Sequence, residues 1–189
     1  MFGGTFDPVH VGHLVAAVNA RHALGLDRVL LVVANVPWQK SHRRLTPAED
    51  RFAMVAAAVA GHEGLEASRI ELDRGGRSYT ADTLEELASE APGRELFVVV
   101  GRDVGAEIGT WDRPEVVQRL ATLVVVDRPD APESRLGPGW RVEQVPIPLL
   151  QVSGSDLRRR AADGRPLDGL VPEAVMTVIR ERGLYAGGR

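Results

Sequence analysis

Apolar residues along this chain gather in short runs separated by stretches with helical spacing. Val29 to Ala34, Leu96 to Val100 and Leu123 to Val126 are runs of valine and leucine, and each reads as a strand buried on both faces. Ser68 to Leu72 and Trp140 to Val145 are weaker strand candidates. Helices are predicted over Gly12 to Leu24, Ala81 to Ala91, Ser155 to Ala162 and Pro172 to Arg182, the last stopped by Gly183. Two more announce their starts: Thr46-Pro-Ala-Glu49 offers an N-cap, a proline at the first helical position and a capping-box glutamate, and Asp112-Arg-Pro-Glu115 repeats the arrangement.

Strand and helix therefore alternate, and helices alone finish the chain. Strands this apolar need helices on both faces, so the expected fold is α/β, a doubly wound parallel sheet with C-terminal helices. At 189 residues the expectation is one domain, residues 1–189, with a helical part from about 153 to 189. Pro129 to Gly139 holds three prolines and two glycines and reads as an exposed loop. Only Met1 and Phe2 precede the first glycines, so the first strand is either very short or begins upstream.

Composition narrows the function. The formal charge of −3 argues against binding nucleic acid through its phosphate backbone over a broad surface. Cysteine is absent, which removes disulfides, thiolate metal sites and cysteine nucleophiles and fits a reducing, cytoplasmic setting. No apolar run is long enough to span a bilayer, so no membrane contact is expected. Of the 23 basic residues only Lys40 is a lysine, and no Walker-type Gly-Lys-Ser/Thr can exist.

The segment Gly3-Gly-Thr-Phe-Asp-Pro-Val-His10-Val-Gly-His13 carries the most chemistry. The adjacent glycines Gly3 and Gly4 let backbone N–H groups approach a phosphate, and Thr5 and Phe6 continue that loop. Asp7-Pro8 turns the chain so that the following helix points its positive end at the same place. His10 and His13 share one face of the first helical turn and can both donate to phosphate oxygens, while Gly12 leaves the space between them open. A lone His-x-x-His is more often a pair of surface histidines; the complete string favours an anion site. Two histidines are too few for a metal centre, so no metal ligands are assigned, and Gly-x-Gly-x-x-Gly of the dehydrogenases is missing.

This string resembles the nucleotidyltransferases marked by His-x-Gly-His, a superfamily that includes the class I aminoacyl-tRNA synthetases. The resemblance implies that His10 and His13 hold nucleotide phosphates while a second substrate attacks the α-phosphorus. Val152-Ser-Gly-Ser-Asp-Leu-Arg158 is similar to the superfamily's Ile-Ser-Ser-Thr-x-Ile-Arg element. Ser153 and Ser155 at a helix start, with Arg158 one turn on, form a second phosphate cradle. Gly154 and Ser155 stand where the family has serine and threonine, so one hydroxyl contact is lost or passed to a backbone N–H.

Within the superfamily the chain resembles the bacterial nicotinate mononucleotide adenylyltransferases over nearly its whole length. Asn35-Val-Pro-Trp-Gln-Lys40 leaves the second strand at its carboxyl end, which makes Asn35 and Lys40 substrate-side candidates. Ser78-Tyr-Thr-Ala-Asp-Thr-Leu84 matches the family's helix start, where Thr80 and neighbouring amides are implied to hold the nicotinate carboxylate. Gly101-Arg-Asp103 resembles the family's Gly-x-Asp, implying contact with the ATP sugar. Trp111 is where the family stacks an aromatic ring on the pyridine, and Arg128 is a candidate partner for the mononucleotide phosphate.

The resemblance implies that the partners are ATP and nicotinate mononucleotide, with Mg²⁺ carried mainly on the ATP phosphates, and that the products are nicotinate adenine dinucleotide and pyrophosphate. It also implies preference for the acid over the amide. Two alternatives stand beside it: another adenylyl- or cytidylyltransferase, such as one acting on phosphopantetheine, and a non-catalytic adenine-nucleotide sensor.

Overall fold

The computed structural model describes residues 1–37, 45–102, 108–127, 136–148 and 150–186. Its strands are β1 Phe2–Gly4, β2 Val29–Val33, β3 Val36–Pro37, β4 Leu65–Ser68, β5 Arg77–Ser78, β6 Leu96–Gly101, β7 Ala121–Asp127 and β8 Val142–Pro146. Its α-helices are α1 Val11–Leu24, α2 Ala48–Val59, α3 Ile70–Arg74, α4 Thr80–Glu90, α5 Pro114–Leu120, α6 Gly154–Ala162 and α7 Glu173–Glu181, with a 3₁₀ turn at Ile108–Thr110.

Two parallel three-stranded sheets, β4-β2-β1 and β6-β7-β8, meet edge to edge. The Met1 nitrogen donates to the Phe97 carbonyl at 2.5 Å and the Val99 N–H to the Met1 carbonyl at 2.9 Å. Bonding to residues two apart is the pattern of a parallel neighbour. The strand order is therefore β4-β2-β1-β6-β7-β8, and the winding reverses between β1 and β6. In open α/β sheets that reversal opens a crevice at the carboxyl ends of the strands.

Side-chain alternation then divides the core. Val98, Val100, Leu123 and Val125 pack on Ala81 and Leu84 of α4 and on Val116 and Val117 of α5. Their neighbours Val99, Val124 and Val126 face Ala16 and Ala20 of α1 on the other side. Val29, Leu31 and Val33 of β2 bury against Met54, Val55 and Ala58 of α2, with Val175 and Ile179 of α7 closing the same cluster. Helices cover both faces, as the apolar strands require.

Three local expectations are corrected. Ser68 to Leu72 does not form a strand: β4 ends at Ser68, and the acidic and basic residues from Ile70 to Arg74 turn as α3. Thr46 does not cap α2, whose N-cap is Pro47 with no side-chain bond; the Thr46 backbone is engaged elsewhere, as described below, and Glu49 bonds Arg69 instead. Asp112 does not cap α5 either: the N-cap is Arg113, in the left-handed region at φ 46°, and the Asp112 carboxylate pairs with its guanidinium. Most of the expected loop Pro129 to Gly139 lies outside the described residues. The first strand spans three of the residues given, Phe2–Gly4.

Candidate active site

The glycine loop leaves β1 under close constraint. A Cβ on Gly4 would meet the Phe6 ring at 2.8 Å, and Phe6 itself sits at φ 49° with its ring buried. Phe6 therefore offers only its backbone to a ligand, since its ring stacks edge-on against Phe2 and His13 at centroid distances of 5.8 and 4.9 Å. Asp7-Pro8 is a cis peptide, and α1 begins three residues later with His10 as its N-cap, in extended conformation.

His10 and His13 stack on one another with ring centroids 3.7 Å apart. The His10 backbone N–H donates to Nδ1 of His13 at 3.2 Å, which fixes the neutral His13 tautomer with its proton on Nε2. Burial lowers the His10 pKa to about 4, so the imidazole is neutral near pH 7, and its buried Nδ1 makes no hydrogen bond among the described residues. Gly12 leaves room for this pair, since a Cβ there would lie 3.2 Å from the His10 ring.

The distant cradle meets this loop at Asp7. Arg158 donates to the Asp7 carbonyl at 2.5 Å, and its guanidinium stands 3.9 Å from the Asp7 carboxylate. A Cβ on Gly154 would come within 2.8 Å of the same carbonyl, so glycine is what lets α6 start this close to the loop. Ser153 caps α6 by accepting the Asp156 N–H at 3.3 Å, and the exposed hydroxyls of Ser153 and Ser155 lie 3.2 Å apart. Asp7 is further held by the Thr46 N–H at 3.3 Å and by the Tyr185 hydroxyl at 2.6 Å. Burial, then the Asp7 carboxylate, pushes the Tyr185 pKa well up, so it stays a neutral donor.

On the β6 side of the glycine loop lies a pocket of about 210 Å³. Gly3, Gly4 and Thr5 line it together with Tyr79, Thr80 and Trp111. Thr80 is the first residue of α4, so backbone N–H groups without helical partners lie at this pocket. Glu71 also lines it, buried, accepting the Thr83 hydroxyl at 2.8 Å; burial raises its pKa, opposed by the hydroxyl bonds of Ser78 and Thr83. Asn35 joins β2 to this region, its N–H donating to Ser78 Oγ at 2.8 Å and its side chain to the Gly76 carbonyl at 2.9 Å. Gly101 ends β6. Lys40, Asp103 and Arg128 lie outside the described residues. Among the described residues no group of three His, Asp or Glu side chains could hold a metal ion, and no helix is long and apolar enough to cross a membrane.

Sequence reasoning missed Arg51. It is 1% exposed, and among the described residues its bonds go to backbone carbonyls: Nε to Thr46 at 2.8 Å, Nη1 to Thr5 at 2.9 Å and Ala34 at 2.6 Å, Nη2 to Asn35 at 3.1 Å. It thus ties the loops leaving β1 and β2 to the start of α2. Burial lowers its pKa, with Asp7 and Tyr185 opposing. The available signal was a charge on the buried stripe of a helix, Arg51 with Met54, Val55 and Ala58.

Comparison with known proteins agrees with this geometry. Residues 1–160 match the cytidylyltransferase-like family model. A probable nicotinate-nucleotide adenylyltransferase of Frankia casuarinae is 44% identical over 188 residues, covering 98% of each chain. One of Streptomyces coelicolor is 43% identical over 186 residues, covering 98% of this chain and 99% of that protein. Among solved structures, Plasmodium falciparum nicotinic acid mononucleotide adenylyltransferase complexed with NaAD has the same fold, with a TM-score of 0.79 at 16% identity over 97% of this chain and 95% of that one. The chain belongs to the cytidylyltransferase-like family, in the group formed by its bacterial nicotinate-nucleotide adenylyltransferase relatives.

Proposed function

We propose that this protein transfers the adenylyl group of ATP to nicotinate mononucleotide, a step in making NAD. The observation that carries the reading is the meeting of the His10-His13 loop and the Ser153–Arg158 cradle at Asp7, beside a pocket between the glycine loop, Thr80 and Trp111.

The 5′-phosphate of the mononucleotide is already nucleophilic, so the protein supplies position and charge rather than a covalent intermediate. A phosphate oxygen attacks the α-phosphorus of ATP, the bond to the β-phosphate breaks, and pyrophosphate leaves. ATP enters as its magnesium complex, the metal arriving on the substrate. His13, donating from Nε2, and His10 stabilise the charge spreading over the transferred phosphate. Arg158, Ser153, Ser155 and the amides of Gly3, Gly4, Thr5 and Phe6 hold the remaining oxygens. Thr80 and the first amides of α4 take the nicotinate carboxylate, and Trp111 covers the ring. The same reading gives Asn35, Lys40 and Arg128 to the mononucleotide and Gly101 and Asp103 to the nucleotide sugar. It also treats residues 1–189 as one cytoplasmic nucleotidyltransferase domain.

The test is pyrophosphate release with magnesium and ATP against nicotinate mononucleotide, nicotinamide mononucleotide and phosphopantetheine in parallel. Turnover with the first acceptor alone is expected, and His13→Ala should lower it about 10²- to 10³-fold without loss of folded protein. Turnover with phosphopantetheine, or none in a folded sample that binds ATP, would overturn the assignment.

A further inference from the structure

Arg113 stands outside every role given so far, yet its geometry is unusual. It is a non-glycine residue at φ 46°, ψ 59°, a left-handed conformation that long side chains seldom adopt. Such outliers persist when the surrounding contacts hold them, and they gather near functional sites. Here the holding contacts are three carboxylates. Nε binds Asp112 at 3.1 Å, Nη1 binds Glu85 at 2.9 Å, and Nη2 binds Asp82.

Those partners belong to two segments that reach the pocket. Asp82 and Glu85 belong to the first two turns of α4, whose first residue, Thr80, lines it; Asp112 lines it directly, next to Trp111. The Arg113 side chain is 38% exposed and its partners are exposed to a similar degree, so the ion pairs add little to global stability. The packing of α4 on α5 through Ala81, Leu84, Val116 and Val117 already joins the two helices. Trp111 packs against the same apolar cluster, and the fork adds a polar tie between its neighbour Asp112 and the first turns of α4.

From this we infer that Arg113 is a positioning residue for the acceptor: its fork fastens the Trp111-Asp112 turn to the first turns of α4 and so sets the width of the pocket that receives the pyridine ring. The inference rests on the proposed acceptor, but only in part. Gly3, Gly4 and Thr5 line this pocket too, but the other ATP-side groups, His10, His13 and Arg158, do not, so losing the fork should be felt far more by the acceptor than by ATP.

Arg113→Gly separates the side chain from the backbone, because glycine adopts positive φ without strain. It should raise KM for nicotinate mononucleotide about tenfold while leaving KM for ATP within about twofold, and Arg113→Lys should recover part of the loss. The melting temperature should stay near that of the parent. Equal changes in both KM values, or no change in either, would overturn the inference. A second readout is independent of turnover. In a background with Trp38 and Trp140 replaced by phenylalanine, acrylamide quenching of Trp111 should increase in Arg113→Gly, and unchanged quenching would also overturn it. If the parent protein released no pyrophosphate with this acceptor, the functional assignment would fall while the quenching comparison still decided the role of Arg113.

Discussion

Replacing Arg51 by methionine tests whether the loops of the site are held from behind. Methionine is unbranched, shorter than arginine and uncharged, so the helix persists and much of the volume stays filled while four bonds to carbonyls disappear. Hydrogen bonds to a charged group are worth about 1.5–3 kcal/mol each, a gross loss of roughly 6–12 kcal/mol. Two effects reduce it. Removing a buried guanidinium regains several kcal/mol of desolvation. Only the bond to Ala34 is fully buried, so water can reach the carbonyls of Thr5, Asn35 and Thr46. The net expectation is a destabilisation of about 4 kcal/mol, or a melting point lower by roughly 8–16 °C for a chain of this size. Urea unfolding followed by circular dichroism measures it, with Arg51→Lys expected between parent and methionine variant. Because Thr5 and Ala34 line the pocket, KM for both substrates should also rise at a temperature where the variant is fully folded. A loss under about 1 kcal/mol at unchanged m-value would refute the idea that this side chain organises the loops.

Two further outcomes follow from the site. His10, buried neutral with a pKa of about 4 against 6.5 in the unfolded chain, binds fewer protons folded than unfolded between those values. Its contribution to stability is complete above pH 6.5 and shrinks as the pH falls toward 4, by about 2 kcal/mol at pH 5. Urea midpoints at pH 7 and 5 should therefore differ less in His10→Asn than in the parent, and an equal difference would refute the assignment. Gly154→Ala places a Cβ 2.8 Å from the Asp7 carbonyl, so α6 must move off the loop and KM for ATP should rise about tenfold. An unchanged KM with a gain in stability, as alanine gives in an unconstrained helix, would show that the contact is slack.

Most of the frame was legible from the residues. The valine runs at β2, β6 and β7 and the periodic stretches of α1, α4, α6 and α7 fall within a few residues of their observed bounds, because burial on both faces of a sheet leaves so clear a pattern. The caps at Thr46 and Asp112 failed because a cap signature assumes local partners. Thr46 gives its N–H to Asp7 and its carbonyl to Arg51, and Asp112 is drawn into the fork of Arg113. The paired histidines, Arg158, Thr80 and Trp111 were readable as types in motifs. Arg51 and Tyr185 were not, since Arg51 acts through carbonyls on three separate segments, up to 46 positions away, and Tyr185 through Asp7, 178 positions away.

The Asp7 junction also has a consequence for synthesis. The loop that carries the histidines emerges early, but Arg158 and Tyr185, which fasten it, lie 151 and 178 residues later. A ribosome adding about 5–20 residues per second leaves that loop without its fasteners for roughly ten seconds or more. During that interval the sheet can assemble while the nucleotide site cannot. Activity should therefore switch on late and abruptly, once residue 185 has cleared the exit tunnel, and nascent chains stalled before that point should be folded in part yet unable to consume ATP.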